Sequence, residues 1–119
     1  MTGTSPAGQA LDLVHLSAQT FGDRALEREL LELFEQQCRR LLPVIAGRNV
    51  SRARSDAAHT LKGAARAVGA ERVAAVADAI EAAVEGGCEE ARLLRLVDEL
   101  DVAADEVTVA IRSRQQDPA

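Results

Sequence analysis

Four residues in one short stretch have the types and spacing to do chemistry: His59, Lys62, Gly63 and Arg66. On a helix turning about 100° per residue they fall within an arc of about 100°. One imidazole, two cations and a gap in the side-chain surface then share a face. An imidazole, with a reference pKa of about 6.5, keeps a neutral nucleophilic nitrogen near neutral pH. Phosphoryl transfer suits such a face. Its loose transition state spreads charge over the equatorial oxygens, so positioning and nearby cations do most of the work. Lys62, one turn beyond His59, is placed to offer that cation. Gly63 disfavours a helix by roughly 1 kcal/mol relative to Ala. That cost has a rationale if something bulky must approach His59. Arg66 adds charge or a contact for an acidic partner.

The stretch that carries these residues reads as a helix. Asn49 or Ser51 is its expected N-cap, and Gly69 its terminator. Val50, Ala53, Ala57, Leu61, Ala64 and Val68 recur at three and four and form the expected core stripe. His59 points away from that stripe, toward solvent. Upstream, a short apolar run (Ala10, Leu11, Leu13, Val14, Leu16) predicts a small helix, closed by Phe21-Gly22-Asp23 with Asp23 as the next N-cap. From there Leu26, Leu30, Leu33, Gln37, Leu41 and Val44 repeat at helical spacing, with Phe34 and Ile45 widening the stripe. Pro43 predicts a kink or an early end, and Gly47 a stop. After Gly69, Val73, Val76 or Ala77, Ile80 and Val84 face inward, and Gly86-Gly87 breaks the segment. The last helix is the most regular: Leu93, Val97, Leu100, Ala104, Val107 and Ile111 form a heptad seam. Short connections between such segments predict an all-α fold, an antiparallel up-down-up-down four-helix bundle with a short additional N-terminal helix. Residues 9–114 are the expected domain, with a flexible N-terminus over 1–8 and a flexible tail over 115–119.

Composition narrows the function. With 119 residues and 47% hydrophobic content, the chain can bury a core as one domain without disulfides. A net charge of -5 argues against nucleic acid as a partner. Cys38 and Cys88 lie far apart and match no metal-ligand spacing, so they read as reduced, packed thiols. No run approaches the roughly 20 apolar residues of a membrane helix, and the N-terminus lacks the regions of a signal peptide. The expectation is a soluble cytoplasmic monomer. His15 lacks any chemical context and reads as a packing or surface residue. Glu89-Glu90 and Asp98-Glu99 read as a wet helix face.

The stretch from His59 to Ala70 resembles the signature of the histidine phosphotransfer (HPt) family, His-x-Leu-Lys-Gly-x-x-x-x-x-Gly-Ala. His59, Leu61, Lys62, Gly63, Gly69 and Ala70 match every fixed position. The resemblance extends outward. Phe21-Gly22-Asp23 followed by Leu30 to Phe34 looks like the family's entry into its first long helix. Ile80-Glu81 looks like the Leu-Glu or Leu-Gln pair on the helix after the motif. The resemblance implies that His59 is the phospho-acceptor and that Lys62 stabilises phosphoryl charge. It implies that Glu81 accepts a hydrogen bond from the other ring nitrogen and orients the imidazole. Gly63 would lie under the docking partner; Arg66 is not a fixed family position, and its docking role is inferred from its charge alone. Family members often carry Ser just after the motif's first glycine, where Ala64 and Ala65 stand here.

The implied function is a phosphorelay carrier. It would move a phosphoryl group between receiver-domain aspartates through phospho-His59, with response-regulator receivers and a sensor or hybrid histidine kinase as partners. No cofactor is expected on the chain itself, and Mg²⁺ is expected on the receiver. With no Gly-rich nucleotide loop and no room for an ATP-binding domain, it is expected to be a phosphocarrier without autokinase activity rather than an enzyme. Two rivals stand beside this reading: an adaptor bundle that docks receivers without being phosphorylated, and an oligomerisation bundle driven by the last helix.

Overall fold

In the structure, a computed structural model that describes residues 10–47 and 50–116, every regular element is a helix. The chain runs through α1 (Leu13–Gln19), α2 (Arg24–Ala46), α3 (Ser51–Val68), α4 (Glu71–Glu85) and α5 (Glu90–Gln115). Helices α2 to α5 close a ring in which each packs on its chain neighbours and α5 returns to α2, while α1 lies against α3. Glu27 near the start of α2 meets Arg114 near the end of α5, as antiparallel packing requires. This is the four-helix bundle with a short N-terminal helix that the periodicities predict.

The core is aliphatic. Leu31, Ile45, Leu61, Val68, Val73, Ile80, Leu100, Val107 and Ile111 are almost fully buried, each such side chain contributing about 1.5–3 kcal/mol of transfer free energy. All six positions of the predicted α5 seam are buried. Asp23 caps α2 as expected, its carboxylate accepting from the amides of Ala25 at 2.9 Å and Leu26 at 3.1 Å. Asp12 does the same for α1, accepting from the His15 amide at 3.0 Å. Gly69 ends α3 in the left-handed region at φ +79°. A Cβ there would also lie 2.9 Å from the Asp12 carbonyl oxygen, so this glycine both reverses the chain and lets α1 lie close.

Several expectations need correction. The inward face of α2 is turned by one residue: Glu27, Leu31, Phe34, Leu41 and Ile45 are buried, whereas Leu26 and Leu33 are exposed. The cause is long-range, because Arg114 grips the Glu27 carboxylate with two hydrogen bonds of 2.8 and 3.1 Å. On α3, Ala57, Leu61 and Val68 are buried as predicted, but Ala58 and Ala65 join them while Ala64 is only half-buried and Val50 is 73% exposed. Helix α3 sits between α2 and α4, so its covered arc is wider than one stripe. Ser51 is the first helical residue rather than the N-cap; Val50 holds that position with no side-chain cap, and Asn49 lies outside the described residues. Pro43 does not end α2 early, since the helix runs to Ala46 before Gly47. Pro43 faces solvent there, where the carbonyl it leaves unpaired can reach water. Helix α5 continues to Gln115, one residue into the expected tail; residues 1–8 and 117–119 lie outside the description.

Candidate functional site

The site is built on the seam between α3 and α4. The two helices run antiparallel in a regular register, so each step up α3 meets a step down α4. Ser55 donates to Glu85 at 2.8 Å, His59 faces Glu81 at 3.0 Å, and Lys62 faces Asp78 at 3.0 Å. The tight turn at Gly69-Ala70, closed by the Ala70 amide on the Ala65 carbonyl at 2.9 Å, sets that register.

His59 stands outward, its side chain 67% exposed. Its Nδ1 lies 3.0 Å from Glu81 Oε2. Glu81 is held below the usual carboxylate range, first by the hydrogen bond from Lys62, with burial opposing and the charges of Lys62 and His59 assisting. An ionised carboxylate only accepts, so the ring proton belongs on Nδ1. That leaves the lone pair on Nε2, the nitrogen opposite the anchored edge. The arrangement is an exposed imidazole with a neighbouring carboxylate placed to set its tautomer.

Lys62 belongs to the same network. Its stem is mostly covered, with 14% of the side chain exposed, and its ammonium lies 2.7 Å from Glu81 Oε1 and 3.0 Å from Asp78 Oδ1. One carboxylate, Glu81, therefore binds the imidazole with one oxygen and the ammonium with the other. The two hydrogen bonds, to Glu81 and then Asp78, hold Lys62 above its ordinary 10.5, so it is a cation across the physiological range. Asp78 is held below its ordinary 3.8, first by the Lys62 hydrogen bond and charge, with a smaller contribution from Arg66.

Gly63 is exposed, and a Cβ added there would meet nothing within 4 Å. No packing within the described chain demands glycine there, and the surface beside His59 is open. Arg66 is exposed on the same helix, and its influence on the His59 cluster is through charge on Asp78. The other histidine, His15, is half-buried on α1, with its Nε2 covered and without a partner among the described residues. Cys38 and Cys88 are free and half-buried, and burial, with Glu35, pushes the Cys38 thiol up to about 11. Among the described residues there is no group of three or more potential metal ligands, and no helix long and apolar enough to cross a membrane.

Sequence reasoning missed Asp78 and Arg54. Asp78 stands three residues before Glu81, so the two acids share a face of α4; only the α3–α4 register places Lys62 between them. Arg54 is buried, donating from Nε to the Ile45 carbonyl at 3.0 Å, and so satisfies a backbone acceptor at the end of α2.

A family model described as "Hpt domain" matches residues 29–110, which contain every residue of this cluster. Among solved structures, the chain is similar to the histidine phosphotransferase ShpA from Caulobacter crescentus. The two share 34% identity with a TM-score of 0.56, over 87% of this chain and 97% of that one. No curated protein matches the chain.

Proposed function

Since the chain belongs to the Hpt domain family, we propose that His59 carries a phosphoryl group between the aspartates of response-regulator receiver domains. Family membership gives the chain a phosphotransfer role in two-component signalling. What supports the finer reading is one observation: an exposed imidazole whose Nδ1 is tied to the ionised Glu81, leaving Nε2 free to attack.

In the loading step the Nε2 lone pair forms the N–P bond while the O–P bond of the receiver's aspartyl phosphate breaks. The electron pair of that bond stays on the receiver's carboxylate. The Nδ1 proton remains on the ring, and the positive charge the ring acquires faces Glu81. The unloading step is the reverse, onto a second receiver. Lys62 supplies a fixed cation beside the phosphoryl oxygens. Gly63 leaves room for the receiver's surface, and Arg66 offers that acidic partner a charge. The receiver brings the Mg²⁺, and the carrier binds none. It catalyses only together with its partner, without autokinase activity.

The test is direct. The full chain is mixed with a receiver domain carrying a ³²P-labelled aspartyl phosphate. Acid-labile, base-stable label is expected on the wild type and none on His59→Gln. Label of equal amount on His59→Gln overturns His59 as the acceptor, and none on either despite receiver binding overturns the relay in favour of an adaptor.

A further inference from the structure

We propose that Asp78 is a positioning residue that sets how the phosphoryl group divides between His59 and the receiver aspartate. The inference rests on the relay reading above and adds a residue to it. Asp78 does not touch the imidazole. It acts on Lys62, whose ammonium it holds at 3.0 Å.

Three facts carry the argument. First, an ammonium has three N–H donors. Glu81 takes one at 2.7 Å and Asp78 takes another, which leaves one for a phosphoryl oxygen and fixes its direction. Second, within hydrogen-bond distance one cation, Lys62, stands between two carboxylates, while Arg66 reaches Asp78 through charge alone, so removing the Asp78 charge leaves the surroundings of His59 more positive. Third, Glu81 is already engaged with both His59 and Lys62. Orienting the ring therefore needs no second acid, and the charge of Asp78 is surplus to that task.

A surplus negative charge beside an incoming phosphoryl group disfavours the loaded state. The exchange concerned is phospho-His59 plus a receiver carboxylate going to His59 plus an aspartyl phosphate, with no other reactant. Asp78 weakens the hold of Lys62 on the phosphoryl oxygens and repels the group itself. Both effects push the exchange toward the receiver. The carrier thereby passes the group on instead of storing it.

The experiment measures partition, not rate. Full-length chain and a receiver domain labelled with ³²P are brought to equilibrium, and label on each protein is counted. Asp78→Asn keeps an acceptor for Lys62 but removes the charge. It is expected to shift the partition toward His59 by about three- to tenfold, the size expected of one charge at this range near a surface. Asp78→Glu restores the charge and is expected to stay within about twofold of wild type. The Asn shift should shrink between about 0.02 M and about 1 M salt. Asp78 is 58% exposed, so neither change touches the core.

A slower approach to an unchanged partition in Asp78→Asn means a merely structural role and overturns the proposal, as does an equal shift in Asp78→Glu. Failure of the underlying relay looks different: wild type then takes no label that His59→Gln lacks, and no partition exists to compare.

Discussion

Two clusters in this bundle join helices through a carboxylate and a cation, and they are opposite in kind. At one end, Glu27 of α2 is buried and gripped by Arg114 of α5 at 2.8 and 3.1 Å, with Arg24 at 3.5 Å. Arg24 also donates to the Arg114 carbonyl at 3.2 Å. On the α3–α4 seam, Glu81, Asp78 and Lys62 make equally short contacts, but beside an exposed imidazole. In the first cluster a buried carboxylate sits between two partly covered guanidinium groups, and its product is a fixed pairing of α2 with α5. In the second, the carboxylates hold an ammonium and one ring nitrogen of an exposed imidazole. Similar distances thus surround a buried carboxylate in one place and an exposed imidazole in the other, and on the relay proposed above that exposure is what turns the second cluster toward transfer.

The largest expected effect breaks the buried member. Glu27→Ala removes the bidentate partner of a mostly covered guanidinium and is expected to lose about 3 kcal/mol of stability. Urea denaturation should show it, while the fraction of folded chain that accepts label stays the same. Next comes the exposed member. Lys62→Met keeps the covered stem but removes the cation, and transfer to His59 is expected to slow by about tenfold or more. Rapid-quench labelling measures this, and the melting temperature should move far less than for Glu27→Ala.

The two motif glycines sharpen the same contrast on a smaller scale. Gly63→Ala meets open space within the chain and should raise stability by up to about 1 kcal/mol, yet slow transfer severalfold by crowding the docked receiver. Gly69→Ala must adopt φ +79° and crowd Asp12. It should lower stability by about 1–3 kcal/mol with little effect on transfer per folded molecule. Opposite signs in thermal melts, against the reverse order in labelling, check both at once.

The smallest effect is electrostatic. Glu81 and Asp78 titrate below their ordinary values because Lys62 holds their charged forms. Groups depressed in the folded state contribute above their unfolded pKa, and that contribution is lost only as pH falls through the folded value. Lys62 is raised, so its contribution is complete below the ordinary 10.5 and lost as pH climbs through its folded value. The network should therefore be intact from mildly acidic to mildly alkaline pH. Carboxyl-detected NMR titration is expected to place both acids below reference, and Lys62→Met to raise both.

Much of this was legible in the residues. The bundle followed from apolar spacing, and α5 matched position by position because a heptad seam states its own inward face. The exposure of His59 and the openness at Gly63 followed from angular positions on a single helix. What was not legible involved partners distant in sequence. Leu26 and Leu33 look as apolar as Leu31, and nothing local says that Glu27 displaces them inward; Arg114 decides that from 87 residues away. Asp78 looks like any surface acid until α4 is laid against α3.

The sequence by itself determined which segments are helices, where they stop, and which of them displays a histidine, a lysine and a glycine on one side. Those outcomes depend on propensities, caps and periodicities that act within a few residues. Only the tertiary structure decided which face of α2 is covered, which acids flank Lys62, and which nitrogen of His59 is left free. Each of those depends on a charge or a hydrogen bond contributed by another helix, and such pairings exist only once the helices have packed in register.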